Sequence, residues 1–416
     1  MNVVVVGSGF REHALARACQ ASPLADRVVV APGNAGMAAD VECVPARDAA
    51  AVSALARDLQ ALVIIGPEAP LAAGWADHLR QDGLLVCGPS AAAAELESSK
   101  VAAKALMERL DVPTARARVV TSAAEADRVL AGWQGPVVVK ADGLAAGKGV
   151  LLADTPNEAR GAVQQLMGDT RFGAAAARVL LEERLLGPEL SAMALTDGRR
   201  LVWLPATQDY KRVGDGDQGP NTGGMGAVGP HRQWTPQLAD WLADRVFLPV
   251  IDELRRGGRP FAGVLYAGLM MTADGPRVLE WNVRLGDPEA AVVLALVKDD
   301  LLPYWLGAAT GELPSRPPAW SGASVAVVMA ASGYPDRSEP GAAVSYAPEP
   351  GVVMLHAGTG RDARGRLVSG GGRTLLAVAS ADDVPTARER AYRQVAHVQF
   401  DGMVVRSDIA AEYCHS

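Results

Sequence analysis

Long apolar runs are missing from this 416-residue chain: no stretch reaches the roughly 20 apolar residues that a helix needs to cross a bilayer, which excludes a membrane partner. The chain opens directly on an apolar strand pattern, so no leader peptide is expected. Cysteine is scarce, and Cys19, Cys43, Cys87 and Cys414 are scattered without metal-ligand spacing. They read as reduced thiols of a cytoplasmic protein. Positive charge is in deficit, with 40 Lys and Arg against 47 Asp and Glu for a net charge of −7, which argues against nucleic acid while leaving room for a local basic pocket. Also absent are the P-loop pattern, since Gly149 follows Lys148, and the H-R-D and D-F-G motifs of a protein kinase. What remains is ordinary for a folded soluble enzyme, with 49% hydrophobic and 21% charged residues in a length that predicts about three domains.

Val3 to Val6 reads as a buried strand, followed by the turn Gly7-Ser-Gly9 and a helical pattern from Arg11 to about Ala21. A glycine turn at a helix start presents free N–H groups to a phosphate. A dinucleotide site is disfavoured, because Glu12 stands where the third glycine would fall and strand Val28–Ala31 ends in Pro32-Gly33 without a ribose-binding acid. Further strands are expected at Leu62–Ile65 and Leu84–Cys87. The loops Pro32–Gly36, Gly66–Pro70 and Gly88-Pro89 follow three of these strands, either as ordinary turns or as the lining of one crevice.

In the centre, a helix from Ser98 carries Lys100 and Lys104, a spacing that by itself is usually a solvated face. Lys140 ends the strand Pro136–Lys140, and Gly143–Gly149 adds a glycine-rich loop with Lys148, a pattern that can close over a triphosphate. Val179–Glu189 reads as a strand entering a turn; Glu182 and Glu183, taken alone, read as surface charge. Gln208 to Gly226 is too rich in glycine and charge for a core and is expected to be a functional loop of about twenty structureless residues. In Val278–Glu289, Glu280 and Asn282 share one face of a strand, where two hard oxygens can hold magnesium against phosphates, with Arg284 on the same side. An isolated E-x-N is more often the polar face of an edge strand.

Taken together these features resemble the ATP-grasp superfamily. Gly7–Ala14, Pro32–Gly36, Gly66–Leu71, Lys140–Gly149, Gln208–Gly226 and Glu280–Glu289, in that order along the chain, are similar to the phosphoribosylamine–glycine ligases. The resemblance implies an α/β protein with a Rossmann-like (pre-ATP-grasp) N-terminal domain over 1–98. It implies an ATP-grasp domain of two subdomains over 99–313, with about 115–187 mobile, and a small C-terminal α/β domain over 320–416 that covers the site and supports the first domain. The implied reaction is the second step of de novo purine synthesis: ATP, glycine and 5-phosphoribosylamine give glycinamide ribonucleotide, ADP and phosphate through a glycyl phosphate. Magnesium or manganese would lie on Glu280 and Asn282. Lys104, Lys140 and Lys148 would contact ATP, and Glu182, the backbone near Leu185 and Glu189 would hold adenosine. Asp209, Asn221, Thr222 and Arg284 are expected around glycine and the acyl phosphate, with Asp209, Lys148 and Arg284 as the catalytic set. The first domain would hold phosphoribosylamine with Gly7, Gly9, Arg11, Glu12, Asn34, Gly66, Pro67 and Glu68, and the Gly214–Gly226 loop would shut out water.

The chain departs from the family at Phe10, where a third glycine is usual, and at Tyr210 in place of histidine. Trp281 and Leu285 replace phenylalanines, and Pro188 replaces a frequent acid. The rivals are a carboxylating ATP-grasp ligase, which usually carries an acid where this chain has Gly268, and a nucleotide-binding regulator without turnover. After the linker-like Pro314–Pro318, strands at Ala323–Ala331 and Thr374–Val378 and a helix from Pro385 to about Val398 carry no catalytic motif, with His356 as a strand-end residue. A cytoplasmic monomer or weak homodimer without a further fused enzyme is expected.

Overall fold

The computed structural model describes residues 1–144, 149–169 and 173–414. The first sheet consists of β1 (Asn2–Gly7), β2 (Arg27–Pro32), β3 (Glu42–Cys43), β4 (Ala61–Ile65) and β5 (Val86–Cys87), all parallel in the order β3-β2-β1-β4-β5. Val3 to Val6 are at most 2% exposed because a parallel sheet is covered on both faces, and each buried valine contributes about 1.5 kcal/mol or more. The strand order reverses between β1 and β4, so the crevice at their carboxyl ends lies beside Gly7–Gly9 and Gly66–Glu68. β5 is shorter than the expected Leu84–Cys87, since Leu85 is exposed.

Four antiparallel strands follow: β6 (Ala117–Val120), β7 (Val137–Ala141), β8 (Val150–Ala153) and β9 (Val179–Glu183), in the order β6-β9-β7-β8. Helices Ala123–Ala131 and Pro156–Gly168 cover one face around Leu130, Val163 and Leu166. Next come β10 (Glu189–Thr196), β11 (Leu201–Trp203), β12 (Gln208–Asp209), β13 (Arg212–Gly214), β14 (Gln218–Asn221), β15 (Gly226–Gly229), β16 (Gly263–Thr272) and β17 (Gly275–Asn282). β11, β10, β16 and β17 form a second antiparallel sheet with β17 at its edge.

The stretch Gln208–Gly226 is therefore not structureless. Residues β13 and β14 pair as a hairpin, while β12 and β15 join the C-terminal sheet, where β15 pairs with β18 (Ala323–Ala330). That sheet continues through Arg373–Ala381 to Val352–His356, and helix Val384–Ala396 packs on it. One apolar core runs from Val4 and Val63 of the first sheet to Leu265 and Trp281 of the second antiparallel sheet. Among the described residues no helix is long and apolar enough to cross a membrane.

Candidate active site

A cavity of about 920 Å³ lies between the two antiparallel sheets, bounded also by the first sheet and the C-terminal region. Its floor is the end of β17. A bulge at Leu279 sets Glu280 opposite Gly268, and Asn282 faces Tyr266, so Glu280 and Asn282 both line the cavity. Glu280 is 36% exposed, into the cavity, and Lys211 Nζ lies 3.5 Å from its Oε1. The Lys211 ammonium outweighs burial, with Lys140 and Lys100 adding to it, and holds Glu280 down at about 2. A Cβ at Gly268 would come within 3.2 Å of Glu280 Cγ, so a longer side chain there would crowd it.

The lysines are not on a solvated face. Lys104 is 3% exposed and Glu182 2%, correcting both the exposed helix face and the surface-charge reading of Glu182. Lys104 Nζ and Lys140 Nζ lie 2.7 and 2.6 Å from the two Glu182 oxygens. Lys104 also donates to Thr114 Oγ1 at 2.7 Å, and Lys140 to the Leu279 carbonyl at 3.1 Å, which ties the β7/β9 sheet to β17. Burial lowers the Lys104 pKa against the pull of Glu182, and the two ammonium groups keep Glu182 ionised against its own burial. Lys100 donates to the Gly143 carbonyl at 3.0 Å and is also lowered by burial. Lys148 lies outside the described residues.

Lys211 escaped the sequence reading, although it stands two residues beyond Asp209, a spacing that keeps one face of a strand. It donates to Glu189 Oε2 at 2.8 Å, and Glu189 and Glu280 raise its pKa well above the ordinary lysine value against burial. Glu189 thus already has a cationic partner. Leu185, Asn221 and Thr222 line the same cavity, and Thr222 Oγ1 donates to the Lys211 carbonyl at 2.9 Å. Asp209 Oδ1 is buried with no hydrogen-bond partner among the described residues. Burial and the neighbouring Glu289 carboxylate raise the Asp209 pKa well above the usual range, which favours its protonated form until a cation such as an ammonium comes beside it. Glu289, also missed, accepts from Tyr266 at 2.8 Å.

Arg284 donates to Glu68 at 3.2 Å, Glu97 at 2.7 Å, Asn282 Oδ1 at 3.0 Å and the Leu285 carbonyl at 3.2 Å. A guanidinium has five N–H donors, so one remains and no bidentate fork is open to a ligand in this arrangement. Glu68 is held at about 2: burial opposes ionisation, and Arg284 with Arg11 overcomes it.

At the glycine turn, Glu12 is a structural wedge. Its carboxylate accepts from Gly9 N at 2.6 Å and from Arg11 Nε at 2.7 Å, and a Cβ on Gly7 or Gly66 would strike it. The helix α1 (Phe10–Gln20) receives a second carboxylate at its start, Asp287 Oδ2, from the N–H of Arg11 at 3.3 Å. Pro67 precedes the short helix that starts at Glu68. Asn34 bonds the carbonyls of Ser8 and His356 and accepts from Gly36, Met37 and Thr359, which commits its amide to the junction of the first and C-terminal regions.

Glu280 and Asn282 offer hard oxygens, one ionised and one a carbonyl with a lone pair beyond its Arg284 bond. Among the described residues no group of three or more His, Cys, Asp or Glu side chains could hold a metal. The pair thus fits a hard cation whose coordination is completed by phosphate oxygens and water.

The chain matches the families described as phosphoribosylglycinamide synthetase N domain over residues 1–97, ATP-grasp (A) domain over 98–290 and C domain over 324–412. It is similar to a curated phosphoribosylamine–glycine ligase of Streptomyces coelicolor, 47% identical over 423 residues and covering 99% of each chain. The crystal structure of the phosphoribosylamine–glycine ligase from Thermotoga maritima has a TM-score of 0.87 at 36% identity, covering 99% of this chain and 100% of that one. The biotin carboxylase domain of Hydrogenobacter thermophilus 2-oxoglutarate carboxylase, solved with MgADP, shares the fold alone, with a TM-score of 0.75 at 18% identity over 97% and 91% of the two chains.

Proposed function

Because the chain belongs to the phosphoribosylglycinamide synthetase family, it is a ligase of purine biosynthesis, and we propose that it couples glycine to 5-phosphoribosylamine through a glycyl phosphate. The observation that carries this reading is the convergence of Glu280, Asn282, Lys104, Lys140 and Lys211 on one cavity. A carboxylate is a poor acyl donor, so the glycine carboxylate first takes the γ-phosphoryl group of ATP; the amine then attacks the acyl carbon and phosphate leaves. Phosphoryl transfer needs position and charge neutralisation more than covalent chemistry from the protein, which suits a site of ammonium groups with no activated nucleophile in the proposed set.

Lys104 and Lys140 reach the triphosphate once it competes with Glu182 for their charge, and the backbone near Leu185 with Glu189 takes adenosine. Glu280 and Asn282 hold magnesium or manganese, whose contribution when bound is to neutralise the phosphate oxygens. Asp209 accepts a proton or the glycine ammonium, beside Asn221 and Thr222. Arg284 offers its one remaining N–H to glycine and keeps Asn282 and Glu68 in place. Gly7, Gly9, Gly66, Pro67, Arg11 and Glu68 frame the phosphoribosylamine side, with Glu12 and Asn34 supporting them. The four cysteines are free thiols, which supports a cytoplasmic location, and a monomer or weak homodimer completes the proposal.

The test is phosphate release from ATP with glycine and freshly prepared 5-phosphoribosylamine, each omitted in turn. Release that needs all three supports the reading. Release that needs bicarbonate and aminoimidazole ribonucleotide selects a carboxylating ligase, and nucleotide binding without release selects a regulator.

A further inference from the structure

Arg373 begins the strand Arg373–Ala381 of the C-terminal sheet, far in sequence from every residue assigned above, yet it lines the active-site cavity. Its Nη1 donates to the carbonyls of Gly223, Gly224 at 3.3 Å and Asp287 at 2.7 Å, and its Nη2 lies 3.0 Å from Asp287 Oδ1. The guanidinium also sits 5.6 Å from the centre of the Phe10 ring. A neighbour in the chain's fold, Tyr334, takes the N–H of Gly223 on its hydroxyl at 3.1 Å, so the C-terminal region grips both sides of that glycine.

Each anchored group leads into the site. Gly224 has a positive φ of 103°, and a Cβ there would meet Asp209 Oδ1 at 2.7 Å and Pro288 Cδ at 2.5 Å. The turn that Arg373 holds is therefore packed directly on the Asp209 carboxylate. Asp287 follows the Glu280–Asn282 strand, and its Oδ2 accepts the N–H of Arg11 at the start of α1. One side chain thus fixes the glycine turn over Asp209, the loop after β17, and the phosphate-facing end of the first domain.

We propose that Arg373 is a positioning residue that sets the amine-accepting side of the site by tying the Gly223–Gly224 turn, Asp287 and the start of α1 together. The proposal rests on the ligase reading above. Among the described residues of the nucleotide side, Lys104 and Lys140 pair with Glu182 and not with Arg373, so the effect spares ATP. The guanidinium matters for its fork: a lysine supplies charge for Asp287 but cannot span the carbonyls and the carboxylate together.

The experiment is steady-state kinetics on the full-length chain with Arg373→Gln, Arg373→Lys and Tyr334→Phe, alongside direct binding of ATP. For Arg373→Gln the KM for 5-phosphoribosylamine should rise on the order of tenfold or more while ATP affinity stays within about twofold, as expected when a group far from the chemistry is misplaced by an ångström. Arg373→Lys should recover part of that loss. If Arg373→Gln does not fold, Arg373→Lys alone should still show the selective rise. A KM for the amine within about twofold of the parent, or ATP affinity falling in step with it, overturns the proposal. Absence of product from the unmodified chain would instead sink the ligase reading, so the two failures are separable.

Discussion

Lys211 stands between Glu189 and Glu280, and that placement keeps a glutamate ionised deep inside the fold. Glu280→Gln should lower the melting temperature, since the depressed carboxylate contributes stability at neutral pH, while the fold persists. It should also cut glycine-dependent phosphate release by about 10²-fold or more, because the carboxylate that would hold the cation against the phosphates becomes neutral. Near-parental turnover would remove the metal and phosphate role from Glu280. Glu182 makes a different prediction, since its two oxygens bridge Lys104 and Lys140. Glu182→Gln leaves two buried ammonium groups facing an uncharged partner, and should cost about 3–5 kcal/mol by denaturant unfolding, with ATP restoring more stability to the variant than to the parent. Equal ATP-induced shifts in the two proteins would contradict the competition between Glu182 and the triphosphate. That Glu280 and Asn282 face one side was legible because they are oxygen donors at strand spacing, whereas Asp209 was reached only through the family resemblance. For Lys104 and Glu182 the local pattern alone pointed to surface charge, because i,i+4 lysines and paired glutamates look solvated until a tertiary partner is known, and only the family resemblance drew them toward the cavity.

At the scale of elements, the hairpin β13–β14 shows where local pattern fails. Its glycines and charges read as a structureless loop, but the ordering contacts come from far along the chain: Arg406 Nη1 lies 2.7 Å from Asp217 Oδ1, Ser407 N donates to Asp215 at 2.8 Å, and Gly216 N to Asp408 at 2.8 Å. No window of sequence around residue 214 contains those partners. Tyr210 belongs to the same anchor, its hydroxyl donating to Glu412 at 2.6 Å and accepting from Ala410 N at 3.0 Å, which gives the tyrosine a structural reason to stand where histidine is usual. With these ties the hairpin should resist proteolysis. Arg406→Ala should make it cleavable, and ATP with glycine should slow that cleavage if the hairpin shields the reacting groups; equal cleavage with and without ligands would count against a shielding role. The buried runs Val3–Val6 and Ala61–Ile65 were legible because length and continuity suffice for a parallel strand, whereas the two-residue β3 leaves too little pattern and β5 was expected two residues too long.

For the molecule as a whole, the C-terminal region is built into the rest of the fold, lining the cavity and packing on the first domain. Phe10, at the start of α1, is fully buried among Met225, Ala227, Val328 and Leu376, so it packs beneath the turn. The same junction holds His13 and His356, with His356 N donating to His13 Nδ1 at 3.0 Å, His13 Nε2 3.1 Å from Asp40, and Tyr346 beside His356. Burial lowers both histidines from 6.5 to about 4, with Asp40 pulling the other way. A depressed folded pKa means that the unfolded chain binds more protons between these values. The stabilisation is therefore complete above about pH 6.5 and is lost as pH falls toward 4, by up to about 3 kcal/mol per histidine. Thermal unfolding between pH 7 and 5 should fall less steeply in a His13→Gln, His356→Gln variant; an identical slope would contradict the assignment. The depressed carboxylates Glu280 and Glu68 act later, losing their contribution only as pH falls from about 4.5 toward 2. What unites these scales is a cleft between two antiparallel sheets that brings Lys104, Lys140, Lys211 and Glu280 to one cavity, where the proposed function puts the ATP tail. A crystal structure with a non-hydrolysable ATP analogue and magnesium tests this most directly: the β- and γ-phosphates should lie among Lys104, Lys140 and Lys211 with the ion on Glu280 and Asn282, and a triphosphate bound outside that cleft would contradict the account.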